Sequence, residues 1–130
     1  MLSKVDFITK LRNNNSNESV FFLEQAAEEY WDYAAITADE ALAKMPGTGF
    51  FSARKSYNAV VAVGREIDHK LHDEVSNQQL VTLIFSIMRI SSTKFDVAFQ
   101  TFLKVVSKAS FAEIGALPKS LQKAAQSVLR

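Results

Sequence analysis

The sequence contains no cysteine, only four glycines and two prolines, and no long uncharged apolar run. Without thiols, cysteine nucleophiles, thiolate zinc sites and disulfides are excluded. The longest uncharged stretch, Val75 to Met88, has 14 residues and includes several polar ones, well short of the roughly 20 apolar residues that cross a bilayer. The N-terminus also lacks a basic leader followed by an apolar segment. We therefore expect a cytoplasmic protein with no membrane partner.

What the chain does contain is ample material for one hydrophobic core. It has 130 residues, of which 48% are hydrophobic and ten are Phe, and this size suits a single domain over residues 1–130. The apolar residues recur at intervals of three and four rather than alternating, which predicts helices and not strands. We expect an all-α, single-domain helical bundle of about six to seven helices.

Capping residues and loop formers divide the first half of the chain into helices. Ser3 is the predicted N-cap of a first helix that ends near Arg12, before an Asn-rich break. A second helix is predicted from about residue 18 to residue 44, and a capping box that begins at Thr37 is expected to kink or restart it. A third helix is predicted to begin by Ser52 and end near Glu74.

The second half is expected to contain the centre of the bundle. Eight of the eleven residues 80–90 are apolar, which is too many for a half-exposed helix, so a buried central helix is predicted near residues 78–90. A cap at residues 91–93 should begin a further helix. After a turn over residues 110–115, Pro118 is predicted to stand at the first position of the last helix.

Charge is divided between the two parts of the chain. Residues 1–75 carry 8 Lys and Arg against 12 Asp and Glu, whereas residues 76–130 carry 7 against 2. The formal net charge of +1 hides this polarity. Arguments about binding partners must therefore treat each charged face separately.

The acidic charge is concentrated on the second helix, which has no Lys or Arg between Glu18 and Ala43. Like charges one turn apart destabilise a helix unless a positive surface lies opposite them. An aromatic residue at the edge of such a stripe is typical of the anchor of a protein interface. The predicted partner-binding acidic face consists of Glu24, Glu28, Trp31, Asp32 and Asp39.

The basic charge follows one side of each of the last two long helices. If these helices packed side by side, their lysines would form one positive surface that could bind a nucleic-acid backbone. We expect no exposed aromatic residue among these lysines, so stacking on single strands has no evident platform. The alternative for both charged faces is that they bind no partner and are ordinary solvated helix surfaces. The predicted basic face consists of Lys94, Lys104, Lys108, Lys119, Lys123 and Arg130.

Both histidines lie in a dense ionisable segment at residues 65–74. Glu66, His69 and Asp73 share one side of a predicted helix, a spacing that can present ligands to a metal ion. A dinuclear bundle site needs a second Glu-x-x-His element, and the chain has no third histidine. This side also points away from the predicted core stripe. We therefore predict no metal site and no cofactor.

The same segment places Arg65 and His72 with six residues between them. This spacing resembles the Arg/His pair of the HEPN family of small all-helical ribonucleases. The resemblance covers residues 65–72 and implies a histidine that acts as acid or base and an arginine that stabilises phosphate. Glu66 departs from the family pattern, in which an uncharged polar residue commonly follows the arginine.

Taken together, these patterns predict a non-enzymatic helical interaction protein that docks on a macromolecular partner through segregated acidic and basic faces. A protein is the predicted partner, and pairing of the two faces between copies of the chain is an alternative within this class. The second hypothesis is a nucleic-acid-binding protein, and the third is a HEPN-like ribonuclease. Small cysteine-free chains of this kind are also common among accessory proteins of phages and mobile elements.

Overall fold

The computed structural model describes residues 2–14, 17–46 and 52–128, and within these ranges the all-α prediction is confirmed. The described residues form seven α-helices and one 3-10 helix. In chain order they are α1 (Lys4–Asn14), α2 (Asn17–Ala43), α3 (Ala53–Leu71), the 3-10 helix (His72–Ser76), α4 (Gln78–Ser91), α5 (Thr93–Val106), α6 (Phe111–Gly115) and α7 (Lys119–Val128).

The helix predicted to be central, α4, is the buried centre of the bundle. It packs against α1, α2, α5 and α7, and its most extensive interface is with α2. Because neighbours cover it on several sides, its buried apolar residues occupy about 200° of its circumference, wider than the stripe of roughly 100° on a typical surface helix. Its buried side chains are Leu80, Val81, Leu83, Ile84, Phe85, Ile87 and Met88.

Hydroxyl caps start three of the helices where the sequence predicts them. Ser3, Ser52 and Ser92 precede α1, α3 and α5, and each Oγ accepts a hydrogen bond of 3.1 Å from the backbone amide three residues later. These bonds satisfy amides that have no partner within the helix. The starts of these helices are therefore encoded locally.

The predicted restart of the second helix at Thr37 is wrong, because α2 continues through it to Ala43. Thr37 is only 1% exposed and lies between buried Ala34, Ala35 and Ala38. These small side chains let α2 approach its neighbours closely, and this packing holds the helix continuous. The Thr37 hydroxyl has no hydrogen-bond partner among the described residues.

Two further boundaries differ from the sequence prediction. The third helix ends at Leu71 rather than near Glu74, because His72 adopts a positive φ of 51° and the chain continues as a 3-10 helix. The predicted turn over residues 110–115 instead forms the short helix α6, capped by the Ser110 hydroxyl. None of the residues of α6 is fully buried, and half-buried Ile114 packs against the edge of the core.

A carboxylate on α3 fixes the start of α7. Asp68 accepts hydrogen bonds from the amides of Lys119 and Ser120 at 2.8 and 2.9 Å, and the Ser120 hydroxyl donates to the Gly64 carbonyl at 2.9 Å. The helix begins directly after Pro118, one residue later than predicted. Its first amides are thus capped by a residue far away in the sequence.

Candidate docking surfaces on α2 and α5

The acidic stripe of α2 faces cations that the N-terminal helix supplies. Lys4 Nζ lies 3.0 Å from a Glu28 carboxylate oxygen, and Arg12 Nε lies 2.6 Å from Glu24. The hydrogen bond to Glu24 also raises the pKa of Arg12 above its ordinary value. Two of the predicted partner-binding carboxylates therefore already have an intramolecular partner, although Glu28 remains 75% exposed.

Trp31 is half-buried at the junction of α1 and α2. Its ring packs against Phe7 of α1, with centroids 5.3 Å apart, and Phe7 itself is fully buried. The neighbouring Tyr30 is also half-buried, and its hydroxyl accepts a hydrogen bond of 2.7 Å from the Asn77 side chain. The rigid packing of both rings fixes the surface around them.

A shallow hollow of about 340 Å³ opens beside Trp31. Three carboxylates surround it, of which Glu29 and Asp32 are exposed and form no ion pair with any described residue. Tyr33 also lines it and is 43% exposed. We call this site the Trp31 hollow, and its polar and aromatic lining consists of Lys4, Glu28, Glu29, Tyr30, Trp31, Asp32 and Tyr33.

The structure brings together only part of the predicted acidic face. Glu28, Trp31 and Asp32 meet at the Trp31 hollow, whereas Asp39 is half-buried and lines a separate depression beside Leu42. Glu29 joins the hollow although the sequence argument omitted it. Its position on the helical wheel lies about 60° beyond Asp32, so a wider stripe would have included it.

Other carboxylates of α2 and α3 tie these two helices together. Lys44 lies 2.7 Å from Glu66, and this hydrogen bond is the main cause of a lowered pKa for the Glu66 carboxyl. Lys70 pairs with Glu40 on α2. The ionisable segment at residues 65–74 thus contributes mainly interhelical contacts.

No group of three or more potential metal-ligating side chains gathers anywhere in the described ranges. The Glu66–His69–Asp73 set cannot be followed fully, because the Asp73 side chain lies outside the described residues. Arg65 and His72 are both exposed. Arg65 lies within α3, whereas His72 follows its last residue and has a positive φ of 51°.

Three lysines of the predicted basic face lie on α5 or just beyond its end. Lys94, Lys104 and Lys108 are all exposed, and none lies within ion-pair distance of a described carboxylate. Asp96 on the other side of α5 pairs instead with Arg89 at 2.9 Å. These three lysines are therefore available to an external anion.

The lysines of the last helix lie apart from those of α5. Both α5 and α7 pack on α3 and α4, and among the described helices they share no extensive interface with each other. Lys119 is exposed and Lys123 is half-buried, while Arg130 lies outside the described residues. One continuous basic surface would need the two helices to lie side by side, and they do not.

Exposed apolar side chains accompany both charged faces. Of the seven large hydrophobic residues that the described structure exposes, three lie on α2 and three on α5 or α6. Phe111 is 95% exposed, three residues after Lys108, so the expectation that no aromatic residue accompanies the lysines is wrong. The seven are Val5, Phe21, Tyr33, Ile36, Val97, Val105 and Phe111.

No protein-family model matches this chain, and no curated protein or solved structure is significantly similar to it. Among the helices of the described ranges, none has the length and apolar character that crossing a bilayer requires.

Proposed function

We propose that this protein is a small non-enzymatic interaction module that docks on a basic protein partner through the Trp31 hollow. The observation that carries this proposal is a pair of exposed carboxylates, Glu29 and Asp32, which pair with no described cation and line the same hollow as Trp31 and Tyr33. Aromatic side chains that are already packed lose little conformational freedom when a partner covers them. Trp and Tyr are also the residue types enriched among interface anchors.

The carboxylates give this surface its selectivity. Charges at the rim of an interface steer a partner of opposite sign and disfavour one of the same sign. Because these carboxylates are exposed, salt screens their attraction strongly. Association through the Trp31 hollow is therefore expected to weaken as the salt concentration rises.

The test compares two single charge reversals on the full chain. Asp32→Lys changes the hollow, and Glu113→Lys makes the same change of charge on α6, where no residue is buried. Tagged proteins are used to capture partners from nuclease-treated host lysate at about 50 and 300 mM salt, a range over which screening strengthens markedly.

We expect wild type and Glu113→Lys to capture the same protein at low salt, and Asp32→Lys to lose most of it. The amount captured by wild type should fall at the higher salt concentration. Equal capture by Asp32→Lys and wild type, or capture indifferent to salt, would contradict docking through the hollow.

Nucleic-acid binding through α5 is a second candidate function. It is favoured by Lys94, Lys104 and Lys108, which are exposed and pair with no carboxylate in the described ranges, and by the exposed ring of Phe111. Lysines bind phosphates, and an aromatic ring stacks on bases. A mobility-shift titration with single- and double-stranded DNA and RNA at low salt tests it. A shift that Lys104→Glu abolishes supports this candidate, and the absence of any shift excludes it.

A further inference from the structure

We propose that the outward faces of α2 and α5 bind each other between two copies of this chain, so that the protein associates head to tail. This inference rests on the proposed docking role of the α2 surface and identifies one partner for it. It is drawn from the composition of the two faces, which are opposite in charge and alike in exposing apolar side chains.

The face contributed by α2 is acidic and apolar. Asp32, Glu29, Ile36 and Tyr33 fall within about 100° of one another on a helix of 3.6 residues per turn. Ile36 is 48% exposed and Tyr33 is 43% exposed, and both carboxylates are free of ion pairs with described residues. Water therefore contacts an apolar pair bordered by uncompensated negative charge.

The face contributed by α5 has the complementary composition. Lys94, Lys104 and two exposed valines fall within about 100° of one another around the helix. Lys108 follows in the turn two residues beyond the end of α5. Val97 is 49% exposed and Val105 is 38% exposed. Phe111 adds a nearly fully exposed ring just beyond the end of α5. The face thus combines positive charge with apolar area. It consists of Lys94, Val97, Lys104, Val105, Lys108 and Phe111.

The two faces cannot meet within one molecule. Both α2 and α5 pack their inner sides against the buried helix α4 and share no extensive interface with each other, so their exposed outer sides are turned away from the helix that they share. Contact between them therefore needs a second copy. Because each copy uses a different patch, the contact is heterologous and repeats into rings or chains instead of closing as a two-fold dimer.

The expected association is weak and sensitive to salt. The four α2 residues span only two helical turns. A surface of this size is smaller than the roughly 800 Å² that each partner buries in a stable interface. Charges on both sides are exposed, so screening acts on them fully. Self-association is expected at low salt and high protein concentration, and an external basic protein at the Trp31 hollow would compete with it.

Sedimentation velocity of the purified, nuclease-treated full chain tests the proposal at about 50 and 300 mM salt, a range in which the Debye length shortens appreciably. One variant carries Glu29→Lys and Asp32→Lys, and a second carries Lys104→Glu and Lys108→Glu. All four residues are exposed, so the variants should fold, and circular dichroism checks this.

Wild type should sediment faster as its concentration rises at 50 mM salt, and as a monomer at 300 mM salt. Each variant alone should remain monomeric, because its two faces now have the same sign. An equimolar mixture of the two variants should associate again, since mixing restores opposite charges across the contact. Phe111→Ser should weaken association of the otherwise unchanged chain.

A wild-type chain that stays monomeric at low salt overturns the proposal, as does association that both charge-reversed variants retain. These outcomes are separable from failure of the proposed function. A monomeric protein that still captures a basic partner in an Asp32-dependent manner refutes self-pairing alone. Asp32-independent capture refutes the docking role of the hollow itself.

Discussion

At Asp68, one carboxylate joins two helices that are distant in the sequence. It accepts hydrogen bonds from two α7 amides, at 2.8 and 2.9 Å, where Pro118 leaves no donor of its own. We expect Asp68→Ala to lower the free energy of unfolding by about 0.5 to 2 kcal/mol, the usual cost of a lost N-cap. Urea unfolding measures this change in free energy. Asp68→Asn keeps an acceptor oxygen and should therefore lose less stability than Asp68→Ala. An unchanged unfolding midpoint for Asp68→Ala would show that the cap is dispensable.

Gly64 allows α7 to approach α3 closely. A Cβ at this position would lie 2.6 Å from the Cγ and Cδ1 atoms of buried Leu121, whereas one at Gly115 would meet nothing within 4 Å. Alanine gains about 1 kcal/mol of helix propensity, but overpacking costs about 1 to 3 kcal/mol. We expect Gly64→Ala to destabilise the protein and Gly115→Ala to be neutral or mildly stabilising in the same urea titration. A stabilised Gly64→Ala variant would mean that Leu121 moves aside freely.

At the scale of elements, α1 acts as a cover over the acidic stripe of α2. Fully buried Phe7 packs on Trp31, and two ion pairs flank this contact. Exposed ion pairs contribute at most about 1 kcal/mol each, whereas removal of a buried Phe costs about 3 to 5 kcal/mol. The ring, not the charges, therefore holds α1 in place.

Trp31 is the single tryptophan of the chain, so its fluorescence reports directly on this cover. We expect Phe7→Ala to shift the emission to longer wavelength, because water reaches an indole that α1 no longer shields. Val5→Ala is the matched control, since Val5 lies on the same helix but is 74% exposed. Identical emission spectra for Phe7→Ala and wild type would contradict the covering role of α1.

Elements whose signals are local could be predicted from the sequence. The caps at Ser3 and Ser92 and the high apolar content of residues 80–90 depend on neighbours along the chain, and these predictions are confirmed. The predicted restart of the second helix at Thr37 failed because the packing of alanines on both sides of Thr37 overrides its capping pattern. The pairing of Glu24 and Glu28 with α1 was not predictable from periodicity, because it depends on how two helices meet.

The same limit applies to the candidate site. The acidic stripe and the lysine row of α5 follow from helical geometry alone. The structure exposes Glu28 and Asp32 of the stripe and the three lysines, whereas Glu24 and Asp39 are half-buried. The exposure of Phe111 does not follow, because an apolar residue in a predicted turn is normally expected to cover the core. Only the absence of buried residues in α6 reveals it.

At the scale of the whole molecule, stability and binding are assigned to different parts of the chain. One cluster of buried residues includes side chains from every long helix, with α4 at its centre. The candidate docking residues lie outside this cluster or at its edge. Surface substitutions away from special contacts usually change stability by less than about 0.5 kcal/mol, so charge-reversed variants should report on binding rather than on folding.

The central position of α4 predicts how the molecule unfolds. Ile84 is fully buried in α4, and its truncation to alanine should cost about 2 to 5 kcal/mol, a large part of the roughly 5 to 15 kcal/mol that stabilises a typical domain. Because α4 contacts both α2 and α5, this loss of stability should cause all the helices to unfold together at a lower urea concentration. Trp31 fluorescence and far-ultraviolet circular dichroism should therefore give the same lowered urea midpoint for Ile84→Ala. A Trp31 midpoint that stays at the wild-type value while the dichroism midpoint falls would instead show that α1 and α2 unfold independently of the centre.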